Sequence, residues 1–140
     1  MASTSEIFDE THESVLKKTF DTLDALSGNL PVADPTALAT TQVAGTSYAL
    51  LGSAGTNSIS VVALSDDGIM TVMDHIVDGR DTRFEGITAM DTVTIGDQVF
   101  VVAGGADDGI SLLTLLPGGR LLHLETLADA LDTTLDNVSA

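Results

Sequence analysis

The chain repeats itself: residues 45–78 recur as residues 96–129 at a fixed offset of 51 positions, and this constrains the fold more than any other feature. The copies share Gly45/Gly96, Ile59/Ile110, Ser60/Ser111, Leu64/Leu115, Gly68/Gly119 and Asp78/Asp129, and nearly every apolar position falls opposite an apolar one. A repeat unit of this size cannot bury its apolar surface alone and must stack on neighbours.

Each copy holds three short apolar runs: Tyr48 to Gly52, Ile59 to Leu64 and Ile69 to Ile76, then Val99 to Ala103, Ile110 to Leu116 and Leu121 to Leu127. Runs this short, rich in Val, Ile and Leu and bounded by Gly, Asp and Asn, indicate strands, since a helix needs a longer 3.6-residue pattern. The second and third runs are joined by Ser65-Asp66-Asp67-Gly68 in one copy and Pro117-Gly118-Gly119 in the other. Both offer the positive φ of tight hairpins, and Asp66 and Asp67 are turn formers. A fourth run precedes each set, Ala37 to Val43 and Ile87 to Ile95, with Thr36-Ala37-Leu38 echoed as Thr88-Ala89-Met90. The unit is a four-stranded antiparallel meander. Both faces of the Ile59 and Ile110 strands are largely apolar, so these strands are expected to be covered on both sides.

Such a meander, repeated every ~40–50 residues, is the pattern of a propeller blade. With Ile-Ser-x-x-x-Leu, then Asp-Gly or Gly-Gly, then Met73-Asp74-His75-Ile76 or Leu124-Glu125-Thr126-Leu127, the chain resembles bacterial β-propellers with lactonase-like and YVTN-type blades. It is similar too to the propeller repeats of large acidic secreted proteins that carry hemolysin-type calcium-binding repeats. The resemblance spans roughly residues 15–140. It implies an all-β fold of β-propeller-like blades, two complete and partial ones at both ends. Blade 1 would occupy residues 31–84, blade 2 residues 85–134 and the start of a further blade residues 135–140, where Leu135 to Ala140 repeats Phe84 to Ala89. Residues 1–30 would supply the outer strands of an incomplete blade, because Phe20 to Leu26 matches Leu124 to Leu131 with one residue deleted. The alternative for residues 3–28 is an amphipathic helix, with Ser3 and Glu6 as a capping box and Leu16, Phe20 and Leu23 on one face.

Only five basic residues oppose 21 acids, giving a net charge of −16 in 140 residues. That argues against nucleic acid or an anionic membrane as partner. The absence of cysteine excludes disulfides, thiolate catalysis and Cys-type zinc sites, and no apolar run is long enough to span a membrane. Residues 1–13 lack the pattern of a secretory signal peptide. The chain is therefore expected to be cytoplasmic or exported by another route, and the latter is what a place outside the cell or on a particle surface, which the resemblance implies, would need.

Candidate chemistry is sparse. Gly104-Gly105-Ala106-Asp107-Asp108-Gly109 approaches a calcium-binding nonapeptide, making Asp107 and Asp108 the metal candidates, but departs from it at Asp107 and Gly109 and occurs once. It is expected to be a polar hairpin loop, with no cofactor. His75 beside Asp74 is the best acid-base candidate; His75 and His123 are expected on different faces of outer strands, too far apart to share a metal. No Gly-x-Ser-x-Gly elbow occurs. No catalytic or cofactor-binding residue is assigned.

The expected function is a non-enzymatic structural or adhesive module, partnered by other copies of itself or by further blades of a larger protein, since apolar faces carrying Val61, Leu112 and Leu122 are left for association. A carbohydrate-binding propeller formed by oligomerisation is one alternative, although the chain has no Trp and one Tyr for stacking on sugars. A fragment of a lactonase-like enzyme is the other, against which stands a central channel that needs every blade.

Overall fold

The computed structural model describes residues 32–128. Turn residues divide them into two antiparallel meanders. Sheet 1 runs β1 (Pro35–Val43), β2 (Thr46–Ser53), β3 (Ser58–Leu64) and β4 (Met70–Val77); sheet 2 runs β5 (Ala89–Ile95), β6 (Gln98–Gly104), β7 (Gly109–Leu116) and β8 (Arg120–Ala128). The protein is all-β over the described residues, with no helix able to cross a membrane among them. The tight turns form as their chemistry dictates: Gly68 N–H donates to the Ser65 carbonyl at 3.0 Å and Gly119 N–H to the Leu116 carbonyl at 3.0 Å, both glycines at positive φ. The partial blades expected at residues 1–30 and 135–140, and the helix alternative for residues 3–28, lie outside the described residues.

Strand register corrects the uniform offset. Gly52 faces Ile59 across β2–β3 with six residues between them, whereas Gly104 faces Ile110 across β6–β7 with five. The shorter second loop makes the equivalence 52 positions in the first two strands of each sheet and 51 in the last two. Tyr48 therefore corresponds to Phe100 and Leu50 to Val102, while Val61 corresponds to Leu112 and Ile76 to Leu127. The echo of Thr36-Ala37-Leu38 in Thr88-Ala89-Met90 is the sequence trace of this shift.

Residues paired directly across strands share a face. In each sheet we call the face with Leu50 and Val61, or Val102 and Leu112, the front, and the opposite face the back. The front of sheet 1 packs on the back of sheet 2: Tyr48, Leu50, Ile59 and Val61 enter one buried cluster with Val101, Leu113 and Leu115. Full burial of each such aliphatic side chain is worth about 1.5–3 kcal/mol. Phe84 and Ile87, on the segment joining the sheets, are wholly buried in the same cluster. Like strands meet, β1 on β5 and β4 on β8. Thr92 Oγ1 donates to the Thr40 carbonyl at 3.2 Å and Leu121 N–H to Asp74 Oδ2 at 2.8 Å. The two units stack front to back, as repeated blades do, instead of closing front to front.

One expectation holds for only one copy. In β3, Ser58 to Val62 are all buried, but in β7 the front residues Ile110 and Leu112 are only half-buried while the back residues Ser111 and Leu113 are buried.

Candidate functional site

Among the described residues, the front of sheet 2 is a broad, partly exposed apolar face. Phe100, Val102, Ile110 and Leu112 form its half-buried centre, and Val93, Leu122 and Leu127 are about half exposed around it. Val102, Ile110, Leu112, Glu125 and Leu127 line a shallow depression of about 260 Å³. Of the residues expected on free apolar faces, Leu112 and Leu122 lie here. Val61 does not: it is wholly buried, because the front of sheet 1 is already covered by sheet 2. Contiguous exposed apolar patches larger than a few hundred Å² are uncommon on isolated domains and often coincide with interaction sites.

A second feature is an open acidic cleft of about 670 Å³ where the inter-sheet segment meets the β6–β7 loop, lined by Asp78, Arg80, Arg83, Glu85, Asp107 and Asp108 among others. Asp78, Glu85 and Asp107 converge, with one carboxylate oxygen of each within 4.8 Å of the others. Asp107 Oδ1 is buried and has no hydrogen-bond partner. Burial first, then the neighbouring Asp78 charge, raises the Asp107 carboxyl above the usual carboxylate range, opposed by the backbone amides of Glu85 and of Asp107 itself and by Arg83. Oxygen donors of this type suit a hard cation such as calcium. Asp78 already has a structural task, however: its Oδ1 accepts from Thr82 Oγ1 at 2.7 Å and from the Phe84 amide at 3.0 Å, fixing the segment that seats Phe84 in the core.

The loop reading of residues 104–109 is correct in outline: they connect β6 to β7, with Asp108 at φ 52°. Asp107 and Asp108 both line the cleft, but only Asp107 joins the trio. Asp78 and Glu85 escape a reading of that loop because they come from the preceding segment. The sequence trace of Asp78 is its recurrence as Asp129.

The histidines are reassigned. β-Bulges leave Met73 and Leu124 without a partner, at equivalent positions, and each reverses the alternation of its strand. His75, opposite Ser60, and His123, opposite Leu113, therefore both lie on the backs of their own sheets, not on different faces. They remain on successive backs and form no joint site. His75 Nδ1 lies 2.8 Å from the buried Ser60 Oγ, and His123 Nε2 lies 2.8 Å from Thr126 Oγ1. Asp74 cannot orient His75 for acid-base work: its carboxylate, on the other face, accepts from the His75 and Leu121 amides. Tyr48, the one tyrosine, is buried and presents no ring for stacking on a sugar.

Comparison with known proteins finds no matching family model, no matching curated protein and no matching solved structure.

Proposed function

We propose that the chain is a non-enzymatic structural or adhesive module built of β-propeller blades of the lactonase-like and YVTN type, and that it works by stacking with further blades, of other copies or of a longer protein. The observation that carries this reading is the free front of sheet 2, which repeats with apolar residues the front of sheet 1 that sheet 2 covers. Such a surface is satisfied only beneath another blade. The acidic composition suits a particle surface or extracellular setting and disfavours polyanionic partners.

Equivalent substitutions in the two fronts test this reading. Val61→Asp, under sheet 2, is expected to abolish folding, because it buries a carboxylate without a partner. Leu112→Asp, at the same place on the free front, is expected to keep cooperative melting by circular dichroism while removing self-association seen by light scattering. Equal unfolding by both would mean that the second front is not a free blade face, and the reading would fail.

A further inference from the structure

We infer that residues 129–138 dock on the front of sheet 2, at its Gly104 end, as residues 78–87 dock on the front of sheet 1. This rests on the blade reading above and adds the first occupant of that face: a segment of the chain itself, which leaves Phe100, Leu112 and Leu122 to the blade stacked beyond it.

The segment between the sheets shows what such docking requires. Ile87 fills a notch on the front of sheet 1 where Gly52 raises no side chain: a Cβ there would lie 2.8 Å from Ile87 Cδ1 and 3.2 Å from Ala37 Cβ. Asn57, at φ 48°, fixes both ends of the segment, its carbonyl accepting from the Asp78 amide at 2.7 Å and its Oδ1 from the Gly86 amide at 2.8 Å. Thr36 Oγ1 donates to the Ile87 carbonyl, and Asp78 Oδ1 holds Thr82 and the Phe84 amide within the segment. Each part of this socket recurs on sheet 2. Ala89 pairs with Gly104 as Ala37 pairs with Gly52. Thr88 stands at the place of Thr36, and Asp108, at φ 52° and with a side-chain oxygen of the same reach, at the place of Asn57. The occupant recurs as well. Asp78-x-x-Asp81-Thr82-x-Phe84-Glu85-Gly86-Ile87 returns 51 positions on as Asp129-x-x-Asp132-Thr133-x-Leu135-Asp136-Asn137-Val138. Leu135 and Val138 are apolar where Phe84 and Ile87 are wholly buried. Asn137 replaces Gly86, whose φ of +57° is one that asparagine tolerates. Ala128 pairs with Gly109 as Val77 pairs with Ser58, so the chain leaves β8 beside Asp108 as it leaves β4 beside Asn57. A tether this short gives the segment an effective concentration of about millimolar at its own socket, which favours it over the same segment of a second copy.

The chain has no cysteine, so introduced pairs report single proximities in the full chain. Gly104→Cys combined with Val138→Cys is expected to form an intramolecular disulfide in oxidised glutathione, with a yield matching that of Gly52→Cys combined with Ile87→Cys. Gln98→Cys combined with Val138→Cys, on the same face at the opposite end of β6, is expected to form none. Non-reducing electrophoresis and mass spectrometry separate a bond within one chain from a covalent dimer. A bond in the sheet 1 pair alone overturns the docking of residues 129–138 and leaves the blade reading standing. A covalent dimer of the Gly104→Cys, Val138→Cys variant overturns the segment's own chain as its source. Should Gly104→Cys prevent folding, hydrogen exchange on the unsubstituted chain decides. The amides of residues 135–138 are expected to exchange at least ~tenfold more slowly than in Val138→Asp, as burial of one aliphatic side chain allows, and equal exchange overturns the inference. Equal unfolding by Val61→Asp and Leu112→Asp is the separate result that would remove the blade reading itself.

Discussion

Leu113, Gly119 and Asp107 show how differently single residues act here. Leu113 is wholly buried on the back of sheet 2; Leu113→Asp combines the lost apolar burial with an unpaired buried carboxylate and should fail to fold, since such domains are stable by only about 5–15 kcal/mol. A soluble, cooperatively melting variant would speak against stacked sheets. Gly119 has φ +84°, and a Cβ there would lie 2.6 Å from Met73 Cβ and 2.9 Å from the Tyr48 ring. Gly45 has a nearly identical φ, +82°, with nothing within 4 Å. Both Ala variants incur the left-handed backbone cost of about 1–2 kcal/mol, but only Gly119→Ala also pushes the sheets apart, so its melting temperature should fall further. At Asp107 the folded-state pKa is raised. A raised acid pKa contributes stability that is full below the unfolded value, near ~3.9, and is lost as pH rises through the folded value. Asp107→Asn should therefore be slightly more stable than wild type at neutral pH. That advantage should shrink on acidification toward the unfolded value, which denaturation at a series of pH values would reveal.

At the scale of elements, the strands were legible because each is a short apolar run between turn formers, and all eight lie within two residues of the runs in the sequence. What escaped was register. A one-residue difference between the 53–58 and 105–109 loops changes no strand, yet it decides which residues share a face. The bulges at Met73 and Leu124 do the same to the histidines, and no residue type announces them. The acidic trio was half legible for another reason: Asp107 stands in a recognisable loop, whereas Asp78 and Glu85 reach it only once the segment between the sheets has folded back. Because Asp78 is engaged with Thr82 and the Phe84 amide and Arg83 lines the same cleft, millimolar calcium should move the melting temperature by less than a few degrees. A larger rise, absent in Asp107→Asn, would make the trio a cation site.

For the whole molecule, two opposing terms set the strength of association. The exposed apolar front of sheet 2 favours contact, while every copy carries a net charge of −16, so bringing copies together concentrates like charge. The first term is short-ranged and resists screening. The second weakens with ionic strength, as the Debye length falls from about 30 Å at 0.01 M salt to about 3 Å at 1 M. Association driven by the sheet faces should therefore strengthen as sodium chloride is raised, and it should be weakest in dilute buffer near neutral pH. Contacts held by ion pairs would show the opposite trend. Light scattering on the wild type and on Leu127→Asp across a salt series separates the two: a mass that rises with salt only in the wild type fits blade stacking. A wild-type assembly that dissociates as salt is added would place the driving force in charged groups outside the sheet fronts.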